Sequence, residues 1–370
     1  MAGAAPYIRL PIRLAIIGAG VGQARIYLDH AATTPLRPEA RDAIVSALDR
    51  WHNPSSPHAE GRAARAALEQ ARARIAASLG WRGAVVFTSG ASEALAIALQ
   101  RAQAGPRFVS AVEHDAVFRA APEAVRVAVD HGGIAAMPAV GDDGMLVAIQ
   151  HANNETGVIQ PLDRIGIEVR SRGGLLLADC AQTAGKLPLP DADLIAVSAH
   201  KFGGPPGIGA LLVRDLALLA PVGGQEQGYR YGTENLPGII GMAAALEAGA
   251  AWLDRAAALR ARLDAAIAAA GGEVVAAASP RIPTIGAYRM PGVASNVQLI
   301  QFDLAGVAVS AGSACSSGSL KPSHVLTAMG WDRASAEQVV RVSFGPDTSM
   351  REIDRFAALW SEIAARRRAA

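Results

Sequence analysis

The sequence predicts an α/β protein built on a mostly parallel sheet covered by helices on both faces. Three observations carry that expectation. Short apolar runs at 84–87, 108–112, 145–149, 175–178, 194–197 and 209–213 read as buried strands. Helical stretches alternate with them, as a doubly covered parallel sheet requires. The chemically capable residues Gly90, Ser92, His114, Asn154, Asp179, Gln182, Ser198, His200 and Lys201 all fall just past a strand's carboxyl end. Ligands of open α/β sheets bind at that edge.

The 370 residues suffice for two domains and a substantial core. Apolar residues make up 51% and charged residues 18%, which excludes a disordered chain. A net charge of +2 gives no sign of a nucleic-acid partner. No apolar run approaches the roughly 20 residues of a membrane span. Two cysteines, Cys180 and Cys315, cannot build a disulfide framework, so a reducing, cytoplasmic setting is expected. No metal site and no internal repeat is read.

In order, residues 1–25 are expected to form an N-terminal extension. Pro11 to Gln23 imitates a dinucleotide-binding start, with Gly18, Gly20 and Gly22, but Gln23 stands where the third glycine belongs. The chain then leaves no room for a crossover helix, so an NAD-dependent oxidoreductase is the weakest reading. Pro38–Arg50 is expected to be a helix, from the spacing of Ala40, Ile44, Val45 and Leu48. A turn-rich loop at 52–58 leads to a long helix from Gly61 to Leu79. After the strand at 84–87, Thr88-Ser-Gly-Ala-Ser-Glu93 opens a helix over 94–102. That helix start offers unpaired N–H groups, and Gly90 lets a phosphate approach the backbone. Ser92 either adds a hydroxyl there or is a plain N-cap. His114, at a strand end, either stacks on an aromatic cofactor or bonds nearby backbone. Asn153 and Asn154 either satisfy a turn or hold a ligand carboxylate.

Lys201 follows the strand at 193–197, where burial disfavours an amine's charged form. Such an amine can form a Schiff base with an aldehyde. Asp179 ends the strand at 174–179. A strand-end lysine paired with a strand-end acid is what pyridoxal phosphate requires: one holds the aldehyde and the other the pyridine nitrogen.

Helices are expected from Pro237 to Ala270, then strands at 295–302 and 339–343 among helices, as in a smaller α+β domain. The last helix starts at a capping box, Ser349-Met-Arg-Glu352, and buries Ile353, Phe356, Trp360 and Ile363. Arg366 to Arg368 read as a solvated tail suited to the helix dipole. Cys315 sits among small residues in Ser310-Ala-Gly-Ser-Ala-Cys315 and reads as a reactive thiol. Cys180, directly after a strand, reads as an inert filler. Arg341 lies in an apolar strand, where it serves either a substrate carboxylate or a structural ion pair.

Together these segments resemble the cysteine desulfurases of the class V aminotransferase family. The resemblance runs from Tyr27-Leu-Asp-His-Ala-Ala-Thr-Thr-Pro35 through Asn53-Pro-Ser-Ser56, Phe87–Glu93, Glu113-His114, Asn153–Gly157, Asp179–Gln182 and Ser198–Lys201. It continues through Arg230-Tyr-Gly-Thr233, Ser310–Cys315 and Arg341-Val-Ser343. It implies a fold-type I pyridoxal phosphate enzyme with a seven-stranded, mostly parallel sheet. Residues 26–250 would form the large domain, its first residues free to pack on the small domain, and 251–370 the small one that carries the cysteine loop. It further implies Lys201, Cys315 and His114 as catalytic groups, with His114 stacked on the cofactor ring. Asp179 would pair with the pyridine nitrogen and Gln182 with the ring oxygen. Gly90, Ala91, Ser92, Ser198 and His200 would hold the phosphate, and Thr233 the phosphate of the partner subunit's cofactor in a homodimer. Asn154 and Arg341 would orient the carboxylate of L-cysteine. Cys315 would take the sulfur as a persulfide, release alanine, and deliver sulfur to an iron–sulfur scaffold or a thiolation acceptor.

Departures from the family pattern are Gly204-Pro-Pro-Gly207, where a lysine is usual, and Gln227, where a basic residue is common. The connection around Val140 to Leu146 is short, and the chain stops at Ala370 without the tail that engages the scaffold. A selenocysteine lyase or another class V aminotransferase is the nearest alternative, and a non-catalytic cofactor-binding scaffold the more distant one.

Overall fold

The computed structural model describes residues 25–49, 52–137, 144–312 and 322–369. The glycines at 18, 20 and 22, the connection at 138–143, and Cys315 lie outside the described residues.

The chain begins with β1 (Ile26–Tyr27) and α1 (Pro38–Leu48), which starts on Pro38, a residue preset for a first helical turn. In α2 (Ala59–Leu79) the N-cap is His58, whose Nδ1 accepts the Gly61 N–H at 3.2 Å. Gly80 ends that helix in the left-handed region, φ 65°. There follow β2 (Ala84–Thr88), α3 (Ala91–Arg101), β3 (Arg107–Ser110), α4 (Asp115–Ala120) and β4 (Val125–Val127). The next elements are β5 (Leu146–Gln150), α5 (Leu162–Ser171), β6 (Leu175–Asp179), β7 (Leu194–Ser198) and β8 (Gly209–Val213).

These strands form one seven-stranded sheet in the order β2-β8-β7-β6-β5-β3-β4. Only β8 runs against its neighbours; the pairs β7–β6, β6–β5, β5–β3 and β3–β4 are parallel. Every residue of β5, β7 and β8 is buried, which is why these strands read as continuous apolar runs. The two sheet faces carry separate apolar clusters. One holds α1 and α2 side chains such as Ala40 and Leu68, and the other α3 side chains such as Leu95 and Leu99.

The Ala-rich stretch after 236 resolves into α6 (Leu236–Glu247) and α7 (Leu253–Ala269), parted near Gly249 at φ 67°. Then come β9 (Glu273–Val274), β10 (Ile285–Arg289), α8 (Ser295–Leu304), β11 (Val307–Ala308), α9 (His324–Ala328), α10 (Arg333–Ala336), β12 (Val339–Ser343) and α11 (Met350–Ala369). The strand expected at 295–302 is instead α8. Gln298 and Phe302, four residues apart, are both 0% exposed, a helical spacing. Gln298 tolerates burial because its amide donates to the Val293 and Gln338 carbonyls at 2.8 Å each.

The order of β10 between β9 and β12 is antiparallel throughout, and its apolar face meets α11. Ser349 and Glu352 bond reciprocally at the start of α11, as a capping box does. Trp360, fully buried, lies against Phe302, Phe356 and Tyr288, with ring centroids 6.1–6.3 Å away. Ile26 and Leu28 belong to this same cluster, and β1 pairs in parallel with β11. Replacing Trp360 by Ala is expected to lower the unfolding free energy in a chemical denaturation by about 3–5 kcal/mol. A loss below about 1 kcal/mol would mean that this cluster is not one packed core.

Candidate active site

The carboxyl ends of β2, β3, β5, β6 and β7 face one cavity of about 370 Å³. Its walls include Gly90, Ala91, Ser92, His114, Asn154, Asp179, Gln182, Ser198, His200, Lys201 and Arg341. The structure therefore brings together eleven residues singled out from sequence, contributed by segments up to 251 positions apart. Thr233 does not join them; it is exposed on the loop after β8. Cys315 lies outside the described residues.

The β2–α3 turn forms one end of the cavity. Gly90 is the N-cap of α3, with φ 155°, and no side chain caps the helix there. A Cβ at Gly209, on the neighbouring strand β8, would stand 2.6 Å from the Gly90 Cα, so the turn and β8 touch backbone to backbone. The first turn of α3 thus presents its N–H groups beside Ser92, Ser198 and His200, a setting made for an anion. The His200 ring shares a hydrogen bond with Thr33 Oγ1 at 3.1 Å. Burial, with the Lys201 and Lys186 charges, pushes its pKa down to about 4, so it is neutral.

Across the cavity, β7 ends in a single 3-10 turn, Ala199–Lys201. The Lys201 amine donates to the Ala31 and Ala32 carbonyls at 2.7 and 2.8 Å. Asp179, at the end of β6, accepts the Ala181 N–H at 2.9 Å. Burial pushes its carboxyl up, while that N–H and the His114 and Lys201 charges pull it down. His114 caps α4, its Nδ1 accepting the Ala116 N–H at 3.1 Å, which leaves the proton of the neutral ring on Nε2. Burial lowers its pKa. Of the two sequence alternatives for this ring, the bond to nearby backbone is present, and the ring also lines the cavity. Gln182 donates to the Ala31 carbonyl at 3.0 Å, and its Oε1 is buried without a partner.

Arg341, in β12, closes the far wall. Its guanidinium donates to Asp29 Oδ1 at 2.8 Å and to the Asn154 carbonyl at 2.9 Å, while Nε has no partner. An ion pair and an open donor thus coexist on one side chain. Asn153 serves its turn, its Oδ1 accepting the Glu155 and Thr156 N–H groups. Cys180 is fully buried and burial pushes its thiol up, as its sequence setting suggested.

An amine, a buried carboxylate, an anion-binding helix end and a free guanidinium N–H around one cavity fit pyridoxal phosphate bound to an amino acid. The orphaned Gln182 Oε1 and the side-chain-free Gly90 are the features such a ligand would complete. The aminotransferase class-V family model matches residues 26–356. The chain belongs to the aminotransferase class-V family. It is 37% identical to a cysteine desulfurase of Rhodobacter capsulatus over 93% of this chain and 97% of that protein. Among solved structures it is similar to a NifS-like protein from Rickettsia africae, with TM-score 0.84, 29% identity, and 92% and 99% of the two chains covered. It is also similar to SspA in complex with cysteine, with TM-score 0.75, 29% identity, and 88% and 100% covered. Like its class-V relatives, it uses pyridoxal phosphate. No metal-binding cluster of His, Cys, Asp or Glu, and no helix long and apolar enough to cross a membrane, occurs among the described residues.

Sequence reading missed three contributors. The Ala31 and Ala32 carbonyls carry no side-chain signal. Glu113 precedes the noted His114, and is buried with Oε1 accepting from Ser110 Oγ and the Gln150 N–H. Burial, with Asp179 adding, raises its carboxyl to about 8, so it is neutral near pH 7. Lys186 stands behind Lys201, and burial with the Lys201 charge lowers it to about 7. A thiol reagent applied to folded Cys315→Ala protein should leave Cys180 unmodified and label it only after denaturation. Rapid labelling of the folded variant would contradict the burial of Cys180.

Proposed function

We propose that this chain is a cysteine desulfurase that converts L-cysteine to L-alanine and takes the sulfur as a persulfide on Cys315. The observation that carries this reading is that the described residues on either side of the cysteine segment are bonded to Arg341 in the cavity wall and to the chain neighbours of Asn154 and His114. Ser310 and Arg341 exchange backbone bonds of 3.2 and 2.7 Å just before that segment. Just after it, Ser323 Oγ donates to Glu155 Oε2 at 2.5 Å, and His324 Nε2 to the Glu113 carbonyl at 2.9 Å. Cys315 is five positions from Ser310, a reach of at most about 17 Å. A thiol on that tether can meet a sulfur held between Arg341 and Lys201.

The residues divide the work. Arg341 and the Asn154 side chain hold the substrate carboxylate. Lys201 holds the cofactor and moves the proton at the substrate Cα. Asp179 would pair with the pyridine nitrogen, and Gln182 and His114 would hold the ring. Ser92, Ser198, His200 and the backbone of Gly90 and Ala91 take the phosphate. Bound cofactor supplies an electron sink for the substrate carbon. The Cys315 thiolate attacks the substrate sulfur; an S–S bond forms, the C–S bond breaks, and its electron pair remains on the carbon to be protonated as alanine. The persulfide then passes to an acceptor for iron–sulfur cluster assembly or thiolation, in the cytoplasm.

We read the working unit as a homodimer in which exposed Thr233 reaches the partner subunit's cofactor phosphate. Residues 26–250 form the large domain and 251–370 the small one, a division supported by the apolar cluster of Ala40 to Leu246 and by a second cluster of residues after 258 that only Ile26 and Leu28 join from the first segment. With cysteine and a thiol reductant, the wild type should release alanine and sulfide in equal amounts. Cys315→Ala should retain its visible cofactor absorbance and lose about a hundredfold or more in rate. Equal rates would remove Cys315 as the sulfur carrier, and a cofactor-loaded wild type inert toward cysteine would remove the desulfurase reading.

A further inference from the structure

One carboxylate in the cavity wall works against the site. Glu93 stands in the first turn of α3, beside the helix end that receives the cofactor phosphate. Its Oε2 accepts the Ser89 N–H at 2.5 Å, a bond that shapes the turn. Although burial works to raise it, the Ser89 N–H and Arg230 hold its carboxyl below the usual range, so it is anionic. An anion at that place repels a phosphate dianion, and partial burial weakens solvent screening.

The counter-charge comes from the far side of the chain. Arg230 Nε donates to Glu93 Oε1 at 3.0 Å, and the two side chains are 20% and 31% exposed. The loop carrying Arg230 is bolted to the β2–α3 unit itself. Glu226, in that loop, accepts from the Phe87 N–H of β2 at 2.8 Å and from Arg72 at 2.7 Å. Arg101, in the last turn of α3, donates to the Tyr229 carbonyl at 3.2 Å. Glu226 and Gln227 are held at φ 50° and 59°, a left-handed pair that non-glycine residues adopt only when surroundings enforce it.

We propose that Arg230 is a positioning residue of the phosphate site, cancelling the charge of Glu93 and turning its carboxylate away from the bound phosphate. The inference rests on the reading that residues 90–92 receive the cofactor phosphate. Within the Glu93–Arg230 pair the roles differ. Glu93 shapes the turn, and Arg230 makes that acid compatible with an anionic ligand. The loop that displays Thr233 is thereby joined to cofactor affinity within one subunit.

The test compares pyridoxal phosphate with pyridoxal, which lacks the phosphate, by absorbance titration of apoprotein. Arg230→Ala should weaken binding of the phosphorylated form by about tenfold or more, leaving pyridoxal unchanged. Adding Glu93→Gln to that variant keeps the acceptor for Ser89 and removes the charge. It should restore affinity to within about threefold of wild type. Equal weakening of both ligands, or no rescue by Glu93→Gln, would reduce Arg230 to a structural role and overturn the proposal. A wild type that binds both ligands alike would instead overturn the phosphate reading. A phosphate preference untouched by Arg230→Ala would overturn only the role of Arg230.

Discussion

The Lys201 amine is fixed by two backbone carbonyls, and the rest of the site depends on the short segment that supplies them. Residues 29–34 lie between the sheet's carboxyl edge and β12. Ala31 and Ala32 accept from Lys201, Ala31 also accepts from Gln182, and Thr34 Oγ1 donates to the Lys201 carbonyl at 3.1 Å. Asp29 pairs with Arg341, and the Ala31 N–H donates to Ser343 Oγ at 2.8 Å. One stretch of chain therefore sets the distance between the Lys201 amine and the Arg341 guanidinium. Its anchorage is apolar: Ile26 and Leu28, just upstream, are buried with Trp360 and Phe356. Misplacing such a segment by an ångström would misplace both groups at once.

Charge is managed in layers around this frame. Burial raises the Asp179 carboxyl, with the Ala181 N–H and the His114 and Lys201 charges pulling the other way, and it raises neighbouring Glu113 to about 8, which keeps that acid neutral near pH 7. His200 and His114 are kept neutral by burial, so they offer hydrogen bonds rather than added cations. Burial, with the Lys201 charge adding, lowers Lys186 to about 7. In the first turn of α3 the Glu93 carboxylate is paired with Arg230. Glu113 and Asp179 are buried, and the histidines, lysines and the Glu93–Arg230 pair are half-buried.

Much of this was legible in the sequence because parallel strands leave a strong signal. The runs at 84–87, 145–149, 175–178, 194–197 and 209–213 are buried on both faces, so their apolar character is nearly continuous. Once they are aligned, Gly90, His114, Asp179 and Lys201 fall on one edge by topology alone. The small domain was less legible. Residues 295–304 mix Gln and apolar residues at both periods, and α8 leaves Val297, Ile300 and Leu304 exposed at 42%, 61% and 83%. Only the tertiary placement of Gln298 and Phe302 decides for helix. The Ala31 and Ala32 carbonyls have no sequence signature, and Glu93 meets Arg230 across 137 positions. Contacts made by backbone oxygens, or by side chains brought together through the fold, are not written in local pattern.

The central claim is that Lys201 is the one amine that carries the cofactor, and the chain has only two other lysines, Lys186 and Lys321. The most direct measurement is borohydride reduction of the cofactor-loaded protein, followed by peptide mass mapping. A pyridoxyl adduct on the peptide containing Lys201, and on no other, is the predicted result. An adduct on Lys186 or Lys321, or none on a protein that shows bound cofactor, would contradict the account.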